Sequence, residues 1–293
     1  MEPTYERTVV VGVDGSPESL VAARFGLWQA SLRGLAVELV YSYPLPLMGD
    51  AVSGSYVDDF RQAGRTVLDD AVAALAVPPD VTLSTQVAET LPAVLMERLS
   101  QTAPLVVVGQ HVTAWYDRLG RGSVASPLAH HAGCPVAVVP PTWRQGQHDG
   151  RPVVVALDGE TASLVALDFA LLQAQLLGVE VVALCAVPVR TPAAAESAER
   201  DVEALVAGVR VDHPGTSVRV ETVRGDTQRV ILDAARGAAL LVVGPPHTEG
   251  LATWTRSVAR HVMTAVECPL VVVPRRRRRT SGPAPVREAL VVA

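Results

Sequence analysis

The sequence contains no lysine, and all 25 of its basic residues are arginine. That excludes a P-loop lysine, a Schiff-base lysine and a lysine general base together. Cysteine is scarce: Cys134, Cys185 and Cys268 are odd in number and far apart, which argues against a disulfide framework. No apolar run reaches the roughly 18–20 residues that span a bilayer, and the N-terminus lacks the basic-then-apolar layout of a secretory signal, so the expected location is the cytoplasm. Neither a Gly-x-Ser-x-Gly elbow nor a His-Glu-x-x-His pair is present. His130 and His131 lie near Cys134, but no second ligand pair stands at zinc-site spacing, so these residues read as a helix end rather than a metal site. A net charge of −5 argues against nucleic acid as a general partner, because phosphate neutralisation needs a positive face. The exception is the block Arg275 to Arg279, read as a solvated extension that ends the last strand.

What is present is a chain of 293 residues, 49% hydrophobic and 19% charged, long enough for two domains with cores of their own. Only 4% of residues are aromatic, so Ala, Val and Leu must supply the packing, as suits an α/β fold. Thr8 to Asp14 reads as a buried strand ending in a carboxylate. Gly15-Ser16-Pro17 then turns into a helix, with Ser16 as N-cap, Pro17 in the first helical position and Glu18 in the first turn. Gly34 supplies the stop. Val37 to Ser42 reads as a strand, 44–55 as a loop, 56–76 as a helix, Val81 to Val87 as a strand and 91–102 as a helix opening at Pro92. Leu105 to Gly109 and Val136 to Val139 are further buried strands, separated by a polar loop and a helix that opens at Gly122-Ser123-Val124. This order predicts a parallel sheet with helices on both faces and right-handed crossovers.

The pattern then restarts. Residues 141–151 read as a linker, after which Val153 to Gly159 answers Val9 to Gly15 at an offset of 144 residues. Ser19-Leu20-Val21-Ala22 is answered by Ser163-Leu164-Val165-Ala166, and Gly34 by Gly178. Near the ends of the copies, Ser123 and Cys134 are answered by Ser257 and Cys268, each pair 11 residues apart. Two copies of one α/β unit account for the length better than one large domain.

These residues resemble the universal stress protein family, and the chain is similar to a tandem member. The resemblance covers about 6–140 and 151–274. It rests on the strand-Asp-Gly-Ser opening, the Val-Val-Val-Gly strand end, and the Gly-Ser-Val helix start followed by Cys-Pro and an apolar strand. It implies two Rossmann-like (HUP-type) domains, each an open five-stranded parallel sheet of order 3-2-1-4-5 with helices on both faces. The domains would span 1–140 and 152–274, joined by the linker and followed by an Arg-rich tail at 275–293. It also implies binding of an adenine nucleotide, ATP above all, with the role of magnesium open. Members of the family commonly dimerise through the last strand. In a tandem chain, 136–139 and 270–273 are the expected partners in an internal pseudo-dimer, and a homodimer of tandem chains is a further possibility.

The family's ATP pattern is Gly-x-x-Gly, nine residues, then Gly-Ser or Gly-Thr. Here Gly109, Val112, Gly122 and Ser123 keep the spacing but not the second glycine. By the resemblance, Asp14 and its turn residues Gly15 and Ser16 face the adenine or ribose, and Ser42 marks the backbone that meets the ring. Gly109 ends the fourth strand where the sheet order reverses. Gly122, Ser123 and Val124 would offer backbone N–H groups and a hydroxyl to phosphate at a helix start. Arg118 and Arg121 could pair with phosphate charge, and Trp115 and Tyr116 could cover a base. Each residue also has an ordinary structural role, as cap, turn acceptor or solvated side chain.

The second copy departs further. Glu160 answers Ser16, Pro245-Pro246-His247 follows Gly244, and Arg256 stands before Ser257. Two prolines remove two N–H donors, so this half reads as a structural partner. The expected function is an ATP-binding stress-response or signalling protein, not an enzyme, with binding mainly in the first half. The alternatives are a structural or interaction module with no ligand, and a slow ATPase. A β-branched residue is a poor substitute for a glycine that takes positive φ or lets phosphate approach the backbone. Val112→Gly is therefore expected to tighten ATP binding by about 1 kcal/mol or more, measured by calorimetric titration of both proteins.

Overall fold

The computed structural model describes residues 7–44, 54–110, 128, 131–147, 150–158, 163–187, 192–244 and 262–274. The first strand, β1 (Thr8–Gly12), is buried on both sides: Val9, Val10 and Val11 have no exposed surface. Because successive strand residues point to opposite faces, this run requires a covering layer on each face. On one face Val9 and Val11 meet Phe25 of α1 (Pro17–Arg33) and Leu68 of α2 (Gly54–Ala73) in one core. On the other, Val10 joins Leu95, Met96 and Leu99 of α3 (Pro92–Ser100) in a second core.

The local signals at α1 hold. Ser16 is the N-cap, its hydroxyl accepting the Ser19 N–H at 3.1 Å, with Pro17 next in line. Gly34 ends the helix at φ 63°, where its N–H reaches the carbonyls of Ala30 and Ser31. Some boundaries differ from the sequence reading. The second strand, β2 (Ala36–Tyr43), is one residue longer at each end than 37–42, and α2 opens at 54 and closes at 73 rather than spanning 56–76. The third strand, β3 (Leu83–Glu89), lies two residues later than 81–87. Val81 is apolar and buried, but its N–H turns back to the Pro78 carbonyl at 3.1 Å, so burial there belongs to a turn. The half closes with β4 (Val106–Gly109) and β5 (Val136–Val139).

The second half repeats the order with β6 (Val153–Leu157), α4 (Leu164–Leu177), β7 (Val181–Val187), α5 (Pro192–Val209), β8 (Val218–Arg224), α6 (Thr227–Ala235), β9 (Leu240–Val243) and β10 (Leu270–Val272). A short helical turn at 262–265 precedes β10. Within each half the strand order is 3-2-1-4-5 with parallel pairing, as the resemblance implied. The halves do not remain two open sheets. They join as one ten-stranded sheet, β3-β2-β1-β4-β5-β10-β9-β6-β7-β8. The joint is antiparallel, with Leu270 opposite Val138, Val271 opposite Ala137 and Val272 opposite Val136. Each of these apolar strands would otherwise show an edge of unpaired backbone groups.

Side chains also cross the seam. The Arg33 guanidinium lies 5.3 Å above the Phe169 ring and donates to Gln173 Oε1. Burial lowers Arg33 to about 10, which still leaves it charged at neutral pH. The stretch 141–151 is not a bare tether, because Trp143 is 4% exposed and sits edge-on to Phe25 at 5.2 Å. The acidic pairs Asp58-Asp59 and Asp69-Asp70 lie on the exposed face of α2. Among the described residues, no helix is long and apolar enough to cross a membrane.

Two outcomes are expected. Leu270, 1% exposed at the seam, lies beyond the reach of compensating solvent. Leu270→Ala should cost about 2–5 kcal/mol in urea unfolding. The three cysteines are free and buried, and burial pushes the Cys134 and Cys268 thiols up to about 12 and Cys185 to about 11. Thiolate is the reactive form, so at pH 8 iodoacetamide should leave the native protein unmodified and alkylate all three sites in urea, as read by intact mass.

Candidate functional site

In a doubly wound sheet, a crevice opens at the C-terminal strand ends where the order reverses. Here that point lies between β1 and β4, because β1 pairs with β2 on one side and with β4 on the other. The Val13 N–H makes the last bond to β2, at 2.9 Å to the Val40 carbonyl, and the chain then leaves the sheet through Asp14, Gly15 and Ser16. Gly15 has φ 84°, a conformation that side chains resist, and a Cβ there would lie 3.4 Å from Val67 of α2.

The turn is held by a closed set of hydrogen bonds. Asp14 Oδ1 accepts from the Ser16 N–H at 3.0 Å and from the Ser16 hydroxyl at 2.6 Å. Ser19 then donates its hydroxyl to the Ser16 carbonyl at 2.9 Å and accepts the Asp14 N–H at 3.4 Å. Asp14 is therefore fixed through one oxygen while its side chain remains exposed. Tyr41 stands beside it: burial first, and the Asp14 charge second, raise its phenol above the ordinary value. Gly64 of α2 makes room for that ring, since a Cβ there would come within 2.6 Å of Tyr41 Cδ1.

Ser42 contributes backbone. Its hydroxyl is engaged, donating to the Thr90 carbonyl. In a parallel ladder, alternate residues turn their backbone groups to the same neighbour. Val40 faces β1, so Ser42 does too, but the β1 pairing ends with Gly12 opposite Val40. The Ser42 peptide groups thus point past the end of β1 into the crevice. On the other side of β1, Gly109 ends β4, and a Cβ on it would lie 3.1 Å from the Glu18 backbone. The missing side chain lets the first turn of α1 lie against the strand end.

Asp14, Gly15, Ser16, Ser42 and Gly109 therefore share one edge of the sheet. Val112, Arg118, Arg121, Gly122, Ser123 and Val124 lie outside the described residues, as do Trp115 and Tyr116. A separate cleft of about 90 Å³, lined by Trp28, Trp143, Leu177 and Ala239, is smaller than the roughly 300 Å³ of an ordinary ligand pocket. Among the described residues, no three His, Cys, Asp or Glu side chains form a metal-binding group.

The second copy is built differently at the same place. Asp158 accepts from the Ser163 hydroxyl at 2.7 Å, and Ser163 stands before α4 in a helical conformation with no side-chain capping bond. Ala186 answers Ser42. Among the described residues, a Cβ on Gly244 would meet Ala166 Cβ at 3.9 Å. Glu160, Pro245, Pro246, His247 and Arg256 lie outside the described residues.

Sequence reasoning missed three residues that shape this edge. Gly64 and Ser19 carry no motif, although retention of Ser19 as Ser163 in the repeat was a signal. Gln110 follows a wholly apolar strand and is buried at 8% exposure, and its only sequence signal was a polar side chain in that position. Ser16→Ala removes both the cap and the hydroxyl that holds Asp14. It should cost about 1 kcal/mol in urea unfolding, whereas Ser163→Ala removes no cap from α4.

Comparison with known proteins follows the same division into halves. The universal stress protein family matches residues 6–140 and again 150–274. A universal stress protein of Mycobacterium tuberculosis is 31% identical, the match covering 92% of this chain and 98% of the relative. One from Mycolicibacterium smegmatis is 29% identical over 93% of this chain and 99% of its own length. Among solved structures, a universal stress protein from Archaeoglobus fulgidus superimposes with a TM-score of 0.70 at 16% identity, covering 93% of this chain and 97% of that one, a likeness of fold. With both halves matched by one family and near full-length relatives above 30% identity, the chain belongs to the universal stress protein family.

Proposed function

We propose that the protein binds an adenine nucleotide, ATP foremost, in its first half and acts in the cytoplasm as a stress-response or signalling protein rather than as a dedicated enzyme. Asp14 with Gly15 and Ser16, the backbone at Ser42 and the glycine end of β4 at Gly109 would receive the nucleoside. Gly122, Ser123 and Val124 would receive phosphate, with Val112 lining the approach and Arg118 and Arg121 supplying positive charge. Units of 1–140 and 152–274 fit this reading, with 141–151 between them and 275–293 as an arginine-rich tail. The second half then serves as the structural partner, its strand at 270–273 doing for 136–139 what a second copy of the chain would otherwise do.

The observation that carries the reading is the asymmetry between the copies. In the first, a carboxylate is held in an exposed turn beside an overhanging strand and a glycine in tight contact with the helix start. In the second, Glu160 stands for Ser16, Ala186 for Ser42, and Pro245-Pro246 follows Gly244. Hydroxyl and N–H donors present in the first copy and replaced in the second support a ligand in the first.

The test is titration of the purified protein with ATP, ADP and AMP, together with ultraviolet analysis of an acid extract for carried nucleotide. Saturable binding is expected, with Asp14→Ala weakening it about tenfold or more, the scale of a hydrogen bond to a charged group. No saturable binding in wild type or in Val112→Gly would discard the reading. Steady phosphate release lost in Ser123→Ala would instead make the protein a slow ATPase.

A further inference from the structure

The residue after Gly109 joins the two halves at the mouth of this crevice. The Gln110 N–H donates to the Val139 carbonyl at 2.9 Å, which extends the β4–β5 ladder by one residue. Its side-chain Nε2 donates to the Val266 carbonyl at 2.8 Å, across 156 positions of sequence and inside the protein. Val266 belongs to the second half and closes the helical turn at 262–265, its own N–H reaching the Val262 carbonyl at 3.0 Å.

The geometry follows from the seam. Because β10 runs antiparallel to β5, with Leu270 opposite Val138, the chain that enters β10 does so beside the C-terminal ends of β5 and β4. The helix preceding β10 therefore ends at the crevice edge of the other half. The last carbonyls of a helix lack donors within it, and Gln110 supplies one. Gln110 follows Gly109 directly, so what fixes Gln110 also fixes the point at which the chain leaves β4. The arrangement has no reverse counterpart, since the residue after Gly244 is Pro245, which has no side-chain amide.

We propose that Gln110 is a positioning residue through which the second half holds the β4 end of the first-half nucleotide site. The inference rests on the nucleotide reading above. It gives the half that lacks the motif a direct part in binding: the second half provides the acceptor that sets where the loop begins. Adenine-nucleotide binding in one copy is then coupled to the last helix of the other.

Gln110→Met keeps the length and volume of the side chain and removes the donor. Nucleotide affinity should fall between about threefold and tenfold, the range of one hydrogen bond. In nucleotide-free protein, the backbone amide of residue 110 should exchange with solvent faster by a similar factor. The control Gln101→Met, at an exposed helix end, should leave both unchanged. In wild type, saturating ATP should slow amide exchange at 262–266, a segment with no other assigned role in the site. Equal affinity and equal exchange in Gln110→Met would overturn the positioning role while leaving nucleotide binding intact. Absence of saturable binding in wild type would defeat the nucleotide reading and this role with it. Should Gln110→Met not fold, the wild-type exchange decides, and an unchanged 262–266 on adding ATP overturns the proposal.

Discussion

The rest of the structure depends on the antiparallel ladder between β5 and β10. Each half ends in a strand that is apolar on both faces, as Val136, Ala137, Val138 and Val139 are in the first and Leu270, Val271 and Val272 in the second. Such a strand cannot be left at an edge, where its backbone groups would be unpaired and its side chains wetted. Pairing the two strands removes both edges together. It also sets the direction of everything beyond the seam, because an antiparallel joint inverts the second half relative to the first.

That inversion explains why the copies touch where they do. Both cores run across the joint: Val139 and Val271 belong to the core that holds α1 and α4, and Val138 and Leu270 to the one that holds α3 and α6. The crevice edge of one copy faces the approach chain of the other, which is how Gln110 comes to meet Val266. A duplicated sequence thus produces two copies in unlike surroundings. The second copy has Glu160 and Arg256 where the first has Ser16 and Gly122, and keeps the strand that the joint requires.

Much of the fold was legible in the sequence because its signals are local. Ser16-Pro17 and Gly34 mark α1 by capping chemistry alone, and the repeat at Val153 to Gly159 announces the second copy. The order within each half followed from alternating strands and helices. What was not legible depends on partners distant in sequence. Val81 has the composition of a strand residue but lies in a turn, because β2 pairs only from Leu83 onward. Trp143 looked like linker until Phe25 and Trp28 were placed beside it. At Ser42 the side chain is engaged with Thr90, and it is the peptide groups that extend past the end of the short β1, a fact of register that no side chain advertises. Gln110 reads as one polar residue after a strand, and only the fold supplies Val266.

Arg33 makes the two sides of the seam chemically different. In the repeat its place is taken by Leu177, while Phe169 and Gln173, which receive it, correspond to Phe25 and Gln29. The tandem pairing therefore buries one guanidinium against one ring and one amide. Two first halves from different molecules, joined in the same way, would bring two buried cations to a single axis with no carboxylate among these residues, at a cost of several kcal/mol per charge. Two second halves would bring none and leave both glutamine carbonyls without a donor. An arginine in one copy and a leucine at the same place in the other make the two sides of the seam chemically unlike.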